Sequence, residues 1–216
     1  MSRNYLFRDR RCNQAGFSIL ELVLVVGILL VATAAAMINI IPSIKTSRSN
    51  AGMELVLGEF RRAHERAVDE RRIYRITLVA PQTIQVDVGT VAIVGSTITG
   101  TAPAFAPAQP PLTLPVDTQF IVVPGIPTSV TTTPDGFGAG NKAIDFDMAI
   151  GGGGTQIYFQ PDGRALDGIN RLNDGVVYLA QPGDLYSSRA VTLYGSTGRA
   201  KGWVLGQVTG GARWTQ

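Results

Sequence analysis

The longest run of apolar residues lies near the N-terminus of the chain. From Phe17 to Ile41 it reads FSILELVLVVGILLVATAAAMINII, and Glu21 is its only charged residue. A helix of this length extends about 37 Å, whereas the hydrocarbon layer of a bilayer is about 30 Å thick. The pattern therefore predicts a transmembrane helix over residues 17–41.

A second helical pattern follows. Pro42 removes a helix hydrogen bond, so we expect a kink or an interruption there. From Asn50 to Arg71 apolar residues recur at spacings of three and four, with charged residues on the other faces. Gly52 and Gly58 each weaken a helix by about 1 kcal/mol relative to alanine, so packing on a sheet must hold this segment. We predict an amphipathic half helix over residues 42–71.

Beyond Arg72 the apolar period falls to two residues, which is typical of strands. A proline-rich loop, 101–115, and a four-glycine loop, 151–154, separate some of them. The predicted fold class is α+β: a long N-terminal transmembrane or amphipathic helix packed on an antiparallel β-sheet globular domain, residues 72–216. The predicted strands are 73–80, 84–88, 91–99, 119–123, 143–148, 155–160, 176–180, 190–194 and 200–205.

Charge is concentrated at the start of the chain. The sequence has 19 Lys and Arg against 16 Asp and Glu, a formal net charge of +3. Residues 1–16 form a basic leader, and the rest of the chain has equal numbers of basic and acidic residues. The positive-inside rule therefore predicts a single-pass topology with the N-terminus in the cytoplasm. The lone cysteine, Cys12, excludes an intrachain disulfide.

Glu21 needs an explanation, because an ionised carboxylate at the centre of a membrane helix costs about 2.5–3.5 kcal/mol. A cut between Gly16 and Phe17 would create an α-amino group with a pKa of about 7.7–8.0. A neighbouring chain packed with an axial stagger would bring that cation to the carboxylate. A cleaved secretory signal and an ordinary membrane anchor are the alternative interpretations of the segment.

The residues around Gly16 carry a more specific signal. Residues 15–26, AGFSILELVLVV, resemble the processing site of type IV prepilins and type II secretion pseudopilins: a basic leader ending in glycine, then phenylalanine, then glutamate as the fifth residue of the mature chain. The resemblance implies that a prepilin peptidase cleaves after Gly16 and methylates the amine of Phe17. It implies that Glu21 pairs with the amino terminus of an adjacent pilin or pseudopilin in a filament. It also implies an inner-membrane location with a periplasmic globular domain before assembly.

A turn in the second half of the chain supports a narrower resemblance. Gln160-Pro161-Asp162-Gly163-Arg164 predicts a hairpin turn, because proline presets its first central position and glycine takes the left-handed one. Together with Gly198-Arg199, it resembles the GspH/FimT family of minor pseudopilins and minor pilins. This resemblance implies a structural subunit at or near the tip of a type II secretion pseudopilus or a type IV pilus.

DNA is an alternative partner, and natural transformation the corresponding alternative function. No acidic residue follows Asp184, whereas Arg189, Arg199, Lys201 and Arg213 do. Gly198-Arg199-Ala200-Lys201 resembles the Gly-Arg-x-Arg segment that contacts DNA in the FimT-like branch. Lysine keeps the phosphate charge but lacks the guanidinium fork, so Arg199, Lys201 and Arg213 would bind mainly without sequence preference. The other alternative is a single-pass membrane-anchored periplasmic protein.

The residues favour neither an enzyme nor a cofactor or metal site. His64 is the only histidine, and it lies on a charged helical pattern without a nucleophile. Asp145 and Asp147 share one face of a predicted strand, which could bring two carboxylates together. A solvent-exposed sheet face or an edge strand explains the same pattern. The remaining candidates are Asp162, Asp167 and Asp174, whose spacing fits turns better than a calcium site, and Trp203 and Trp214, which we interpret as core or interface anchors.

Overall fold

The computed structural model describes residues 17–89, 104–129, 131–138, 141–147 and 152–216, without the side chains of 36–42. The leader, the predicted strand 91–99 and part of the four-glycine loop lie outside the described residues. The chain divides into two units, Met1–Pro42 and Ser43–Gln216.

Helix α1 runs from Ile19 to Glu70. It continues through Pro42, so the predicted interruption is absent. One proline removes a single backbone hydrogen bond, and the turns on both sides keep theirs. The predicted boundary at Arg71 is one residue past the observed end, and Arg71 has a left-handed φ of 52°, which ends the helix.

No helix among the described residues combines the length and the mean hydropathy of a membrane span. The predicted transmembrane helix over residues 17–41 is therefore wrong, and so is the single-pass inner-membrane location with a cytoplasmic N-terminus and a periplasmic domain. That prediction counted apolar length and the near absence of charge.

The first of two antiparallel sheets is built around β1. It has the order β3-β2-β1-β7-β8, and β4 pairs with β2 beside β3. Tyr74 of β1 lies opposite Val88 of β2 and Phe159 of β7, so the centre of the sheet joins segments far apart in sequence. The strands are β1 Tyr74–Val79, β2 Thr83–Gly89, β3 Phe105–Pro107, β4 Leu112–Thr113, β7 Gln156–Phe159 and β8 Ala165–Leu166.

The second sheet is built mostly from the C-terminal part of the chain. Its order is β12-β11-β10-β9-β5, and β6 also pairs with β9. Every residue of β9 is buried, and so are the first five of β10. The strands are β5 Gln119–Phe120, β6 Ile144–Asp145, β9 Gly175–Ala180, β10 Arg189–Tyr194, β11 Arg199–Val208 and β12 Gly211–Thr215.

The predicted fold class is thus wrong, because the described part of the chain has no helix fit to span a membrane. Its strands form two antiparallel sheets, and the prediction specified neither their number nor their strand order. Alternation of apolar residues locates strands but does not say which strands pair. Several predicted strands nevertheless coincide with observed ones to within two residues, for example 73–80 with β1 and 155–160 with β7.

The main core lies where α1 meets both sheets. Val56, Phe60, Ala63 and Ala67 of the helix are all but fully buried and share one cluster with apolar residues of β1, β7, β9 and β10. Gly52 allows the chain to pass close to the helix, since a Cβ there would lie 2.9 Å from Cγ2 of Thr118. The helix segment that contains Gly52 and Gly58 is therefore packed on the sheets, as expected from its weak helix propensity.

A second apolar cluster covers the opposite face of the second sheet. Val176, Tyr178 and Leu205 are buried there with Ile126 and Trp214. The rings of Tyr178 and Trp214 are 5.7 Å apart. Trp214 is therefore a core residue, and Trp203 packs partly buried against the same cluster.

Candidate functional site

The most exposed apolar part of the described chain is the start of α1. Every residue from Phe17 to Ala35, here called the apolar helix surface, is exposed. Its large side chains range from Ile19, 84% exposed, to Val25 and Val26, both 46% exposed. Burying a side chain of this size contributes about 1.5–3 kcal/mol, and exposed apolar patches usually mark interaction sites.

Glu21 is the one charged residue of this surface. It lies in the first turn of α1, where the helix dipole favours a carboxylate. Phe17 lies two residues before the first residue of α1, at the same helix end, and is 80% exposed. None of the ion pairs among the described residues involves Glu21. Gly16 lies outside the described residues.

The polar hydroxyl further along this surface does not need an outside partner. Oγ1 of Thr33 donates toward the backbone oxygens of Leu29 and Leu30, at 2.9 and 3.0 Å. Such back-bonding satisfies a hydroxyl inside its own helix. Glu21 is thus the one residue on the apolar helix surface whose charge an added partner would have to balance.

The predicted DNA-binding residue Lys201 is held in an ion pair. Its Nζ donates to Oδ1 of Asp135 at 2.9 Å and lies 5.0 Å from the centre of the Tyr194 ring. Oδ2 of the same carboxylate accepts from Oγ1 of Thr192 at 2.6 Å. Burial acts to raise the pKa of Asp135, but hydrogen bonds from Lys201, Thr192 and Tyr194 outweigh it and hold the pKa below its ordinary value. The bond to Asp135 in turn raises the pKa of Lys201.

The predicted cations do not all lie in one basic patch. Arg199 shares its face of β11, whereas Arg213 lies opposite Gly206 and so points from the other face of the sheet. Arg189 is 2% exposed, its Nε donates to Oδ1 of Asn50 at 2.7 Å, and burial lowers its pKa. Arg189 therefore fastens α1 to the second sheet and is not available to a polyanion.

His64 connects the predicted Pro-Asp-Gly-Arg turn and the Gly198-Arg199 segment to the helix. Its ring packs edge-on against Phe159, with ring centres 6.2 Å apart. A Cβ on Gly163 would lie 3.2 Å from its Nε2, and one on Gly198 would lie 2.4 Å from its Cδ2. Both glycines have positive φ, 84° and 63°. The Pro-Asp-Gly-Arg turn and the Gly-Arg turn thus meet on the imidazole.

Asp145 and Asp147 do not share a strand face as predicted. β6 ends at Asp145, and Asp147 has a left-handed φ of 59°, which breaks the alternation. Asp145 is buried beside Tyr178, whose pKa is raised by burial and then by this carboxylate. Burial, and after it the charge of Asp167, raises the pKa of Asp147, which Arg171 partly opposes. The two carboxylates therefore lie in different surroundings.

The three other aspartates considered in the sequence accept hydrogen bonds from nearby groups of the chain. Asp162 accepts from the backbone nitrogen and the guanidinium of Arg164. Asp167 accepts from the nitrogens of Ile169 and Arg171, at 2.9 and 2.8 Å. Asp174 accepts from the nitrogen of Gly195 at 2.8 Å. The described residues contain no group of three or more His, Cys, Asp or Glu side chains placed to hold a metal ion.

Asp135 is the residue of this region that sequence reasoning missed. Thr133-Pro134-Asp135-Gly136 has the composition of a turn, and Asp135 indeed has a left-handed φ of 53° in a short 3-10 turn. This local composition predicts that Asp135 lies in a turn, but it does not identify the residue with which the carboxylate pairs. Its pairing with Lys201, 66 positions later, depends on the second sheet being formed.

Comparison of the chain with protein-family models, curated proteins and solved structures gives no match. The resemblance to pilin-like proteins therefore rests on the sequence around Gly16, Gly163 and Gly198.

Proposed function

We propose that this chain is a structural subunit of a noncovalent filament of the pilin or pseudopilin type, placed at or near the filament tip. In this proposal the apolar helix surface packs against the corresponding helices of neighbouring subunits. The observation that carries the proposal is the uncovered run from Phe17 to Ala35, which includes one carboxylate without an ion-pair partner among the described residues.

The charge of Glu21 indicates that the neighbouring surface is a protein surface that supplies a positive charge and is not purely apolar. Packing apolar helices together removes water from the carboxylate, and a buried charge needs an opposite charge and hydrogen bonds. Cleavage by a prepilin peptidase after Gly16 would give Phe17 a cationic α-amino group, methylated in this family. An adjacent subunit displaced along the filament axis would then place that cation beside Glu21.

Glu21→Ala tests the proposal in cells that make the full chain and its filament partners. We expect the variant to be cleaved to a chain that begins at Phe17, as measured by mass spectrometry. We expect it to be missing from sheared, sedimented filaments, because nothing would neutralise the incoming amine. Glu54→Ala is the matched control, since Glu54 is an exposed carboxylate of the same helix. Normal incorporation of Glu21→Ala would contradict the pairing role, and an intact N-terminus in the wild-type chain would contradict the filament proposal itself.

A further inference from the structure

A cleft of about 270 Å³ lies between the last turns of α1 and the turn that joins β10 to β11. The helix contributes Arg61, His64 and Glu65, and the turn and the start of β11 contribute residues 197–200, including Gly198 and Arg199. All of these residues belong to the unit Ser43–Gln216. The proposed filament contact through the apolar helix surface does not use this cleft.

The position of His64 fixes the walls of the cleft. The imidazole is wedged between Phe159 and two left-handed glycine turns, and a Cβ on Gly198 would lie 2.5 Å from the backbone oxygen of Gly163. The turn at Gly198 is therefore packed closely against both the helix and the turn at Gly163. The cleft is therefore bounded by closely packed backbone. Its charged side chains extend from α1 and from the β10–β11 connection, which contact each other through His64.

Two guanidinium groups in the cleft lack a carboxylate partner. None of the ion pairs among the described residues involves Arg61 or Arg199, and both side chains are exposed. By contrast, the neighbouring Arg62 and Arg66 are paired with Glu59 and Glu70. Two arginines from different elements that line one cleft offer the planar donors that bind oxyanions.

The charge balance of the cleft favours a singly charged anion. With the imidazole neutral, two guanidinium groups and the carboxylate of Glu65 leave one net positive charge among the cleft residues. A single carboxylate neutralises this charge, whereas a phosphate dianion would leave an excess and would be repelled by Glu65. The hydroxyl of Thr197 and the imidazole of His64 add hydrogen-bonding groups to the lining of the cleft.

We propose that this cleft binds one carboxylate group, and that its occupant in the filament is an acidic side chain of an adjacent subunit. The binding chemistry stands on the cleft alone, while the identity of the occupant rests on the proposed function. A contact of this kind would orient the globular part of one subunit against its neighbour, in addition to the helix packing.

His64 supplies a direct readout, because it is the only histidine in the 216 residues. We propose titrating the full, unassembled chain with the N-methylamide of N-acetylglutamate, which carries one side-chain carboxylate, while recording the imidazole proton signals by NMR at constant pH. We expect saturable shifts with a midpoint in the millimolar range. Arg61→Gln and Arg199→Gln should each weaken binding by about three- to tenfold, and Arg199→Lys by less. Arg213→Gln, on the other sheet face, is the control and should leave the midpoint unchanged.

Three results would overturn the inference. The first is the absence of saturable shifts; the second is an equal response to the uncharged glutamine analogue. The third is saturation by inorganic phosphate at lower concentrations than by the carboxylate. Because the titration uses unassembled protein, a negative result would leave the Glu21→Ala experiment unaffected. Conversely, a saturable response together with normal incorporation of Glu21→Ala would keep the cleft and reject the helix pairing.

Discussion

Gly198 lies against His64 at a distance that leaves no room for a side chain. A Cβ built on Gly198 would be 2.4 Å from Cδ2 of the imidazole and 2.5 Å from the backbone oxygen of Gly163. Its φ of 63° lies in the left-handed region, which residues with a side chain adopt only at a cost in conformational free energy. A single glycine thus ties the β10–β11 turn, the Pro-Asp-Gly-Arg turn and the helix together.

Gly198→Ala should therefore destabilise the protein by more than the backbone penalty alone. The left-handed conformation costs about 1 kcal/mol for alanine, and displacing packed backbone adds a similar amount or more, so we expect a loss of about 2–4 kcal/mol. Denaturant unfolding of the full chain measures the difference.

Gly183→Ala is the control for that measurement. Gly183 also has a positive φ, 82°, but a Cβ there would meet nothing within 4 Å. We expect this variant to lose only about 1 kcal/mol. Equal losses for the two variants would show that the contact with His64 contributes nothing.

The Pro-Asp-Gly-Arg turn shows what local sequence can predict. The turn forms where it was expected: the backbone nitrogen of Gln160 donates to the oxygen of Arg164 at 2.8 Å, and Gly163 is left-handed. Proline and glycine act on their own backbone dihedrals, so their effect is visible in a short window. That this turn then meets Gly198 and His64 depends on strand pairing, which no short window contains.

β12 shows the limit of the periodicity argument. Gly211–Thr215 is short and has only two apolar residues, Ala212 and Trp214, which is too few to predict a strand, yet it pairs with β11 and buries Trp214. The assignment of the strands to two sheets cannot be predicted from periodicity for a related reason. β1 pairs with β7 across a long intervening segment, and the choice of partner is made by the packing of the whole core.

The ion pair between Lys201 and Asp135 gives a pH-dependent prediction. Lys201→Met would remove a hydrogen-bonded cation from a carboxylate whose side chain is 8% exposed, so we expect a loss of about 2 kcal/mol near neutral pH. The pKa of Asp135 lies below its ordinary value, so its contribution is present above the unfolded-state pKa of about 3.9 and is lost as the pH falls through the folded-state pKa. The difference between wild type and variant should therefore shrink below about pH 4.

Unfolding curves recorded near neutral pH and near pH 3 test this expectation. Arg199→Met is the matched control, because Arg199 lies on the same strand face but is exposed and takes part in no ion pair among the described residues. Its stability should stay within about 0.5 kcal/mol of wild type. A Lys201→Met variant that is equally stable would mean that the lysine is free, which would restore it as a candidate for binding polyanions.

Asp147 should show the opposite pH dependence. Burial, and after it the charge of Asp167, raises its pKa, so the folded state favours the protonated form. The stability contributed by that form is complete below the unfolded-state pKa of about 3.9 and is lost as the pH rises through the folded-state pKa. Asp147→Asn keeps the shape of the protonated acid and tolerates the φ of 59°. We therefore expect the variant to be more stable than wild type near neutral pH and equal to it at acid pH.

Asp162→Asn is the natural comparison for Asp147→Asn. Burial acts to raise the pKa of Asp162, but its bonds with Arg164 prevail and lower it. This substitution should therefore give no gain near neutral pH. If both asparagine variants were stabilised alike, the cause would be a general loss of negative charge and not the local environment of Asp147.

Gly16→Ala tests the processing step separately from assembly. A prepilin peptidase would cleave between Gly16 and Phe17, and a methyl group on the residue before that bond is expected to block the reaction. The variant should therefore accumulate with its basic leader attached, and without the new amine no adjacent subunit could neutralise Glu21. Mass spectrometry of the purified chain reads out the cleavage directly. Gly27→Ala is the control, because Gly27 lies within α1, and a Cβ there would meet nothing within 4 Å. A Gly16→Ala chain that still begins at Phe17 would contradict cleavage by a prepilin peptidase at this bond. A Gly27→Ala chain that keeps its leader would show that the block is not specific to the residue before the cleaved bond.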